Sequence, residues 1–198
     1  DYVEQIGLTS TLDDIEDDLV LWLDSTNIDG QSNKTINAER ITEWTDLSGR
    51  STNPQNLTGT YLPYVRLDYY GDGLDVLDFN DANLDFTLPK YQGSDFTMFV
   101  VYDRQNNDNS GWDSILKTRD DTFGNSFWLM DNYNNSSTQS GFITSGSRWN
   151  YFDSGEIGEL NIFAVRINQF GGEIFMNGVS VIQDESFPFD VDRGFTIQ

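Results

Sequence analysis

The stretch LNIFAVRINQFGGEIFMNGVSVI, residues 160–182, decides how the rest of this chain is interpreted. Residues 160–167 are apolar on both faces of an extended strand, a pattern typical of a strand covered on both sides. The Gly-Gly pair at 171–172 predicts a first reversal. The Asn-Gly pair at 177–178 predicts a second, because both residues tolerate the positive φ angles of a type I′ turn. The stretch therefore predicts three antiparallel strands.

The remainder of the sequence continues this pattern, with about a dozen short β-prone runs separated by Gly, Asn, Asp and Pro. Residues 95–102 form the strongest apolar run and are expected to be a central strand. A compact run at residues 19–23 predicts another strand. Residues 1–18 are a polar, acidic lead-in segment with spacing for one short helix. Residues 19–198 are thus predicted to be an all-β domain, an antiparallel two-sheet β-sandwich of the jelly-roll type.

The chain starts at Asp1 and finishes in a strand-like run with no closing turn after it. We expect it to be a processed or excerpted part of a larger chain or assembly. The last strand of the sheet is then expected to come from later residues or from a partner.

Acidic residues outnumber basic ones by 33 to 11, which gives the 198-residue chain a net charge of −22. Such a surface repels nucleic acid and anionic lipid, so neither is expected as a partner. The chain has no histidine and no cysteine, and it therefore lacks the commonest general base and the usual transition-metal ligands. No apolar run approaches the roughly 20 residues that span a bilayer, so membrane insertion is not expected. Solubility, adaptation to salt and Ca²⁺ binding each account for the excess of carboxylates.

Six short segments follow one another in an order that is more specific than any one of them alone. The segments are residues 19–24 (LVLWLD), 41–49 (ITEWTDLSG), 63–68 (PYVRLD), 95–102 (DFTMFVVY), 114–117 (SILK) and 175–179 (FMNGV). In this order they resemble the concanavalin A-like lectin/glucanase superfamily, in particular the laminin-G-type domains of bacterial and viral surface proteins. The resemblance implies two curved sheets, often with a calcium ion and sometimes with a sugar site at the loop rim. It also implies an extracellular, cell-surface or virion-surface location.

Glycosidases of this superfamily carry their carboxylates on one face of one strand, in a Glu-x-Asp-x-x-Glu motif that this sequence lacks. Two carboxylates act as acid and nucleophile or base when they lie about 5–10 Å apart on one wall of a site. Asp75 and Asp78 fall on opposite faces of an ideal strand, and Glu156 and Glu159 flank a glycine. The chain is therefore predicted not to be an enzyme.

Sugar recognition requires an aromatic ring for stacking beside planar side chains that hydrogen-bond to hydroxyl groups. The best match is the run around Trp149 and Tyr151, which share one face of a strand. Packing of these aromatic residues in the core is the alternative interpretation. The predicted carbohydrate-binding residues are Arg148, Trp149, Asn150, Tyr151, the nearby Asp131, and Trp112 in a polar loop.

Calcium prefers several carboxylate and carbonyl oxygens from flexible loops. Residues 106–111 resemble the start of an EF-hand loop, but Lys117 stands where that loop needs a bidentate glutamate. Ordinary solvated turns are the alternative explanation for this acidity. The predicted calcium ligands are Asp108, Asp113, Asp120 and Asp121.

These observations leave three classes of function. We expect first a non-catalytic lectin-like module that binds glycan or mediates adhesion, assisted by calcium. The first alternative is structural: a virion decoration, fibre or surface-layer subunit that uses the same fold for contacts with other protein subunits. The second alternative is a glycoside hydrolase, which the missing motif disfavours.

Removal of calcium tests the predicted ligand set. A ligand that binds only the native state stabilises it by RT ln(1 + [L]/Kd), about 2.7 kcal/mol at 100 times Kd. EDTA should therefore lower the melting temperature measured by circular dichroism, and added CaCl₂ should restore it. A melting curve that EDTA leaves unchanged contradicts the calcium site.

Overall fold

The computed structural model describes residues 19–33, 40–50, 53–56, 61–79, 82–87, 96–103, 113–118, 128–131, 139–144, 148–153, 158–168, 170–184 and 194–197. The chain forms two compact units, Asp1–Pro89 and Lys90–Gln198. The predicted boundary after residue 18, and the helix predicted before it, lie outside the described residues.

The described secondary structure consists of β-strands and one short 3-10 turn. In the first unit these are the turn Ser25–Asn27 and strands β1 (Tyr64–Arg66), β2 (Val76–Asp78) and β3 (Leu84–Thr87). In the second unit they are β4 (Phe96–Asp103), β5 (Asp113–Thr118), β6 (Trp128–Asp131), β7 (Gln139–Thr144), β8 (Arg148–Asp153), β9 (Leu160–Asn168), β10 (Gly171–Met176), β11 (Val179–Asp184) and β12 (Gly194–Ile197). Within the described ranges, no helix is long and apolar enough to cross a membrane.

The first unit has its own small apolar core. Strands β1 and β2 pair antiparallel, and Val65 of β1 is buried against residues from three other segments. Trp44 packs against this cluster in a half-buried position. The other buried members of the cluster are Ile28, Ile41 and Leu84.

Residues 19–23 do not form a strand, contrary to the prediction. The Trp22 amide donates a hydrogen bond to Oδ1 of the buried Asp46 at 2.9 Å. The Trp22 carbonyl accepts one from the Leu47 amide, also at 2.9 Å. A side chain and a turn thus satisfy the backbone groups that a sheet would have used.

Strands β9, β10 and β11 confirm the prediction from residues 160–182. They form an antiparallel sheet with β4, in the order β11-β10-β9-β4. Asn177 and Gly178 have φ angles of +50° and +79°, as a type I′ turn requires. The first reversal comes earlier than predicted, because Gly171 and Gly172 are already paired in β10.

The other strands of the second unit form an antiparallel ladder in the order β12-β5-β6-β7-β8. Phe163 of β9 is fully buried, and its ring stacks on that of Phe152 in β8 with a centroid distance of 5.8 Å. This contact joins the two sheets, and further buried residues come from both: Leu116, Leu129, Val165, Ile167, Ile174 and Met176. The predicted fold class, an all-β antiparallel two-sheet β-sandwich, is confirmed.

Two expectations about solvent exposure are wrong. Strand β4 was expected to be central, but it is the end strand of its sheet among the described strands. Strand β9 was expected to be covered on both faces, but Ile162 and Leu160 on its second face are exposed. Phe99 of β4 is 71% exposed and Val101 is 62% exposed. The four-stranded sheet therefore has one buried face and one open apolar face.

Two phenylalanines on opposite faces of this sheet test the assignment of its faces. Phe163→Ala should lower the free energy of unfolding by about 3–5 kcal/mol, because it leaves a cavity between the sheets. Phe99→Ala is the matched control and should change it by less than about 0.5 kcal/mol. Urea titrations at constant m-value measure both changes. Equal losses for the two variants would contradict the assignment.

Candidate functional site

The open side of the four-stranded sheet, opposite Phe163, is called the outer face. Cross-strand pairing arranges its side chains in rows, because directly opposed residues share a face. The first, the aromatic row, runs from β4 to β11 and consists of Phe99, Ala164, Phe175 and Ser180. The second, the polar row, is next to it and consists of Thr97, Arg166, Glu173 and Gln183. On the far side of the aromatic row, Val101 is paired with Ile162.

The aromatic row has a small residue between two large ones. Ala164 is paired with Phe99 on one side and with Phe175 on the other. Neighbouring strands lie about 4.7–4.9 Å apart, so about 9–10 Å separates the backbones of β4 and β10. Since alanine ends at its methyl group, the row forms a shallow slot between two phenylalanine side chains.

The polar row is held together by the carboxylate of Glu173. Its Oε1 accepts hydrogen bonds from Ser180 Oγ at 2.7 Å and from Gln183 Nε2 at 2.6 Å. Its Oε2 faces Arg166 Nη2 at 3.4 Å. These contacts connect β9, β10 and β11 and fix the orientation of several polar groups beside the slot.

Hydrogen bonds from Gln183 and Ser180, followed by the charge of Arg166, hold the pKa of Glu173 below its ordinary value. All three interactions favour the charged form of the carboxyl group, and together they outweigh the opposing effect of burial. Glu173 is therefore an oriented anion at neutral pH. Its carboxylate oxygens have further lone pairs that can accept hydrogen bonds on the outer face.

Phe99 is a large apolar residue exposed in the middle of a strand, and this exposure requires a physical explanation. An eight-residue end strand with apolar side chains is prone to uncontrolled pairing, and natural sheets usually protect such edges with charge, proline or bulges. Contiguous apolar surface on a folded domain marks interaction sites far more often than single exposed residues do. The outer face combines apolar surface with a few oriented polar groups, which is the usual composition of a small-molecule site.

A second aromatic cluster lies in the first unit. The Arg66 guanidinium lies over the rings of Tyr64 and Tyr69, at 5.0 and 5.5 Å from their centroids. Arg66 also forms an ion pair with Asp78 at 2.6 Å, and the Tyr69 ring contacts Tyr70 edge-on. The ring faces and the charge are used within the cluster, which indicates a role in stabilising the β1–β2 pair.

The structure places only part of the predicted carbohydrate-binding set. Trp112 lies outside the described residues. Arg148, Trp149, Asn150 and Tyr151 are consecutive in β8, and Asp131 ends β6, but their side chains lie outside the described part of the structure. Alternation in β8 puts positions 149 and 151 on one face and positions 148 and 150, with the buried Phe152, on the other.

Three of the four predicted calcium ligands, Asp108, Asp120 and Asp121, lie outside the described residues. The backbone of Asp113 begins β5 and is paired with Asp131 of β6. Across the described ranges, no group of three or more carboxylates is placed to hold a metal ion. Calcium binding therefore stays a prediction from the sequence.

Sequence reasoning missed Phe99 and Phe175. Phe99 stands in the apolar run that was expected to be a central strand, and Phe175 stands in the second strand predicted from residues 160–182. The available signal was a charged residue within each of two neighbouring strands, Arg166 in β9 and Glu173 in β10. Strands that are covered on both faces are nearly continuous apolar runs, so these charges indicated an open face.

No family model matches the chain, and no curated protein matches it in sequence. Solved structures are similar in fold. Domain 4 of the GH43 extracellular arabinanase AbnA from Geobacillus stearothermophilus, in complex with arabinotriose, is 14% identical with a TM-score of 0.56, over 77% of this chain and 76% of that chain.

Two other solved structures are more distant. The carbohydrate binding module CBM66 from Bacillus subtilis is 11% identical with a TM-score of 0.39, over 58% of this chain and 73% of that chain. A structure described with the endo-acting O-glycanases of the human gut microbiota is 10% identical with a TM-score of 0.45, over 89% and 76%. Of the three, the arabinanase domain is similar enough to support the β-sandwich, and at this identity it supports the fold alone.

The lowered pKa of Glu173 predicts how its contribution to stability depends on pH. Because the pKa is lower in the folded than in the unfolded state, the stabilisation is complete above the unfolded value of about 4.3. It is lost as pH falls through the folded value. Wild type should therefore melt above Glu173→Gln near neutral pH, and the difference should shrink on acidification to about pH 3. Calorimetry across this range measures it, and a difference independent of pH would contradict the network.

Proposed function

We propose that this chain is a non-catalytic glycan-binding module whose ligand lies on the outer face of the four-stranded sheet. The observation that supports this most directly is the slot over Ala164 between Phe99 and Phe175. A distance of about 9–10 Å separates the backbones of β4 and β10, which carry the two phenylalanines on either side of Ala164. A sugar ring presents apolar C–H groups to an aromatic side chain, and its hydroxyl groups remain free to bond to polar neighbours.

The polar row supports the same proposal. Arg166 provides donors, Glu173 provides acceptors, and Gln183 provides both, all on the same face as the slot. Sugars require both kinds of partner because each hydroxyl group donates and accepts. The arabinanase domain that shares the fold is described in complex with arabinotriose, so a neutral oligosaccharide is the first ligand to test.

Calcium assistance, the location of the protein and a second glycan surface are also part of the proposal, and they are based on the sequence. Calcium assistance from Asp108, Asp113, Asp120 and Asp121 is supported by the abundance of oxygen donors. An extracellular, cell-surface or virion-surface location is supported by the family resemblance. The aromatic residues of β8, Trp149 and Tyr151, form a second candidate surface for glycan.

A structural role is the second candidate function. The position of β4 at the end of its sheet, with Phe99 and Val101 exposed, favours contact with another protein subunit. Such a subunit would be a decoration, fibre or surface-layer component. Sedimentation that shows self-association at micromolar concentration, together with no binding to any glycan, would favour this role over the first.

Alanine substitutions in the aromatic row test the proposed function. A glycan array identifies a ligand, and isothermal titration calorimetry then measures Kd. Phe99→Ala and Phe175→Ala should each weaken binding about twofold to twelvefold, because each removes one stacking contact worth about 0.5–1.5 kcal/mol.

Matched controls separate this site from other exposed aromatic residues. Phe170→Ala removes a phenylalanine that is 77% exposed in the turn between β9 and β10, and it should leave Kd unchanged. A loss of binding in Trp149→Ala and Tyr151→Ala, but not in the aromatic row, would assign the ligand to β8 instead. If wild type binds no glycan with or without Ca²⁺, the proposed function is wrong.

A further inference from the structure

The charges on the outer face are almost balanced. Among the described residues, register places one cation on this face, Arg166, and two carboxylates, Glu173 and Asp103. Arg166 Nη2 lies 3.4 Å from Glu173 Oε2, so its charge is already compensated within the face. The pair stands in a chain whose net charge is −22. A ligand on the outer face therefore meets no uncompensated positive charge from the described side chains.

From this balance we infer that the outer face selects uncharged glycans and rejects glycans that carry carboxylate or sulfate groups. This inference rests on the proposed glycan binding at the same face. A neutral sugar uses Glu173 and Gln183 through hydroxyl hydrogen bonds, which need no compensating charge. An acidic sugar brings a second anion next to Glu173, and like charges placed together are the usual means by which a site rejects a competing ligand.

The geometry of the Arg166–Glu173 pair explains why neutral glycans are preferred over anionic ones. Glu173 is fixed by donors from β11 as well as by Arg166, so it does not move away when a ligand anion approaches Arg166. A carboxylate of the ligand must then compete with Glu173 for the single guanidinium. Hydrogen bonds to neutral hydroxyl groups add to the existing network without this competition.

The test compares ligands of matched length on the full chain. The neutral probes are arabino-, xylo-, manno- and fructo-oligosaccharides, and the anionic probes are oligogalacturonate and oligoalginate. At moderate salt, at least one neutral probe should bind, and the anionic probes should bind at least about tenfold more weakly. The Kd of the neutral probe should be unchanged by added NaCl, because no net charge is neutralised on binding.

Substitutions that alter the charge of the face test the cause. Glu173→Gln leaves the Arg166 charge uncompensated and should shift the ratio of the two affinities toward the anionic probe by about tenfold. Gln183→Lys adds a cation on the opposite side of Glu173 from Arg166 and should shift the ratio of the two affinities in the same direction. Asp72→Asn changes the net charge by one on an exposed turn of the first unit and should leave the ratio unchanged.

The outcomes distinguish the two proposals. Stronger binding of an anionic than of a neutral probe overturns the charge selection while glycan binding stands. An unchanged affinity ratio in both Glu173→Gln and Gln183→Lys also overturns it, because the selection would then have another origin. Binding of none of the probes overturns the proposed function and this inference with it.

Discussion

The stacking of Phe163 on Phe152 determines which side of the four-stranded sheet is inside. Side chains alternate along a strand, so the burial of Phe163 puts Ile162 and Ala164 on the opposite face. Cross-strand pairing then extends this choice from β9 to both of its neighbours. The composition of the outer face therefore follows from one contact between the sheets. A substitution at Phe163 or Phe152 would alter the outer face although neither residue is part of it.

The register of the pairing is the second constraint, because a shift by one residue would turn every side chain to the other face. The turn at Asn177 and Gly178 fixes this register between β10 and β11. The same turn is also attached to β9, since Asn177 Oδ1 accepts a hydrogen bond from the Ile162 amide at 2.8 Å. Its Nδ2 donates to Oδ1 of the buried Asn161 at 3.2 Å. One turn residue thus holds three strands in the alignment that brings the aromatic row together.

Local patterns in the sequence were sufficient for the strands of the second unit and for the fold class. Solvent exposure was not predictable in the same way, because apolar residues on both faces of β9 are equally consistent with a second covering layer and with a binding face. The predicted sugar residues of β8 were a local match, whereas Phe99 and Phe175 meet only through the pairing of β4, β9 and β10. The strand predicted at residues 19–23 was wrong for a related reason. Asp46 is remote in sequence, and its side chain accepts the hydrogen bond from the Trp22 amide that a neighbouring strand would otherwise accept.

Strong net charge and an open apolar face are compatible in one molecule. Mutual repulsion at −22 opposes random association of the end strand β4, which carries no charged side chain before its last residue, Asp103. The central claim is that the slot over Ala164 is where a sugar lies. Intermolecular nuclear Overhauser effects measure this directly in a protein saturated with a neutral oligosaccharide. The account predicts cross-peaks from sugar protons to the Ala164 methyl group and to the rings of Phe99 and Phe175. Cross-peaks from the sugar to β8 residues alone, with none to Ala164, would contradict it.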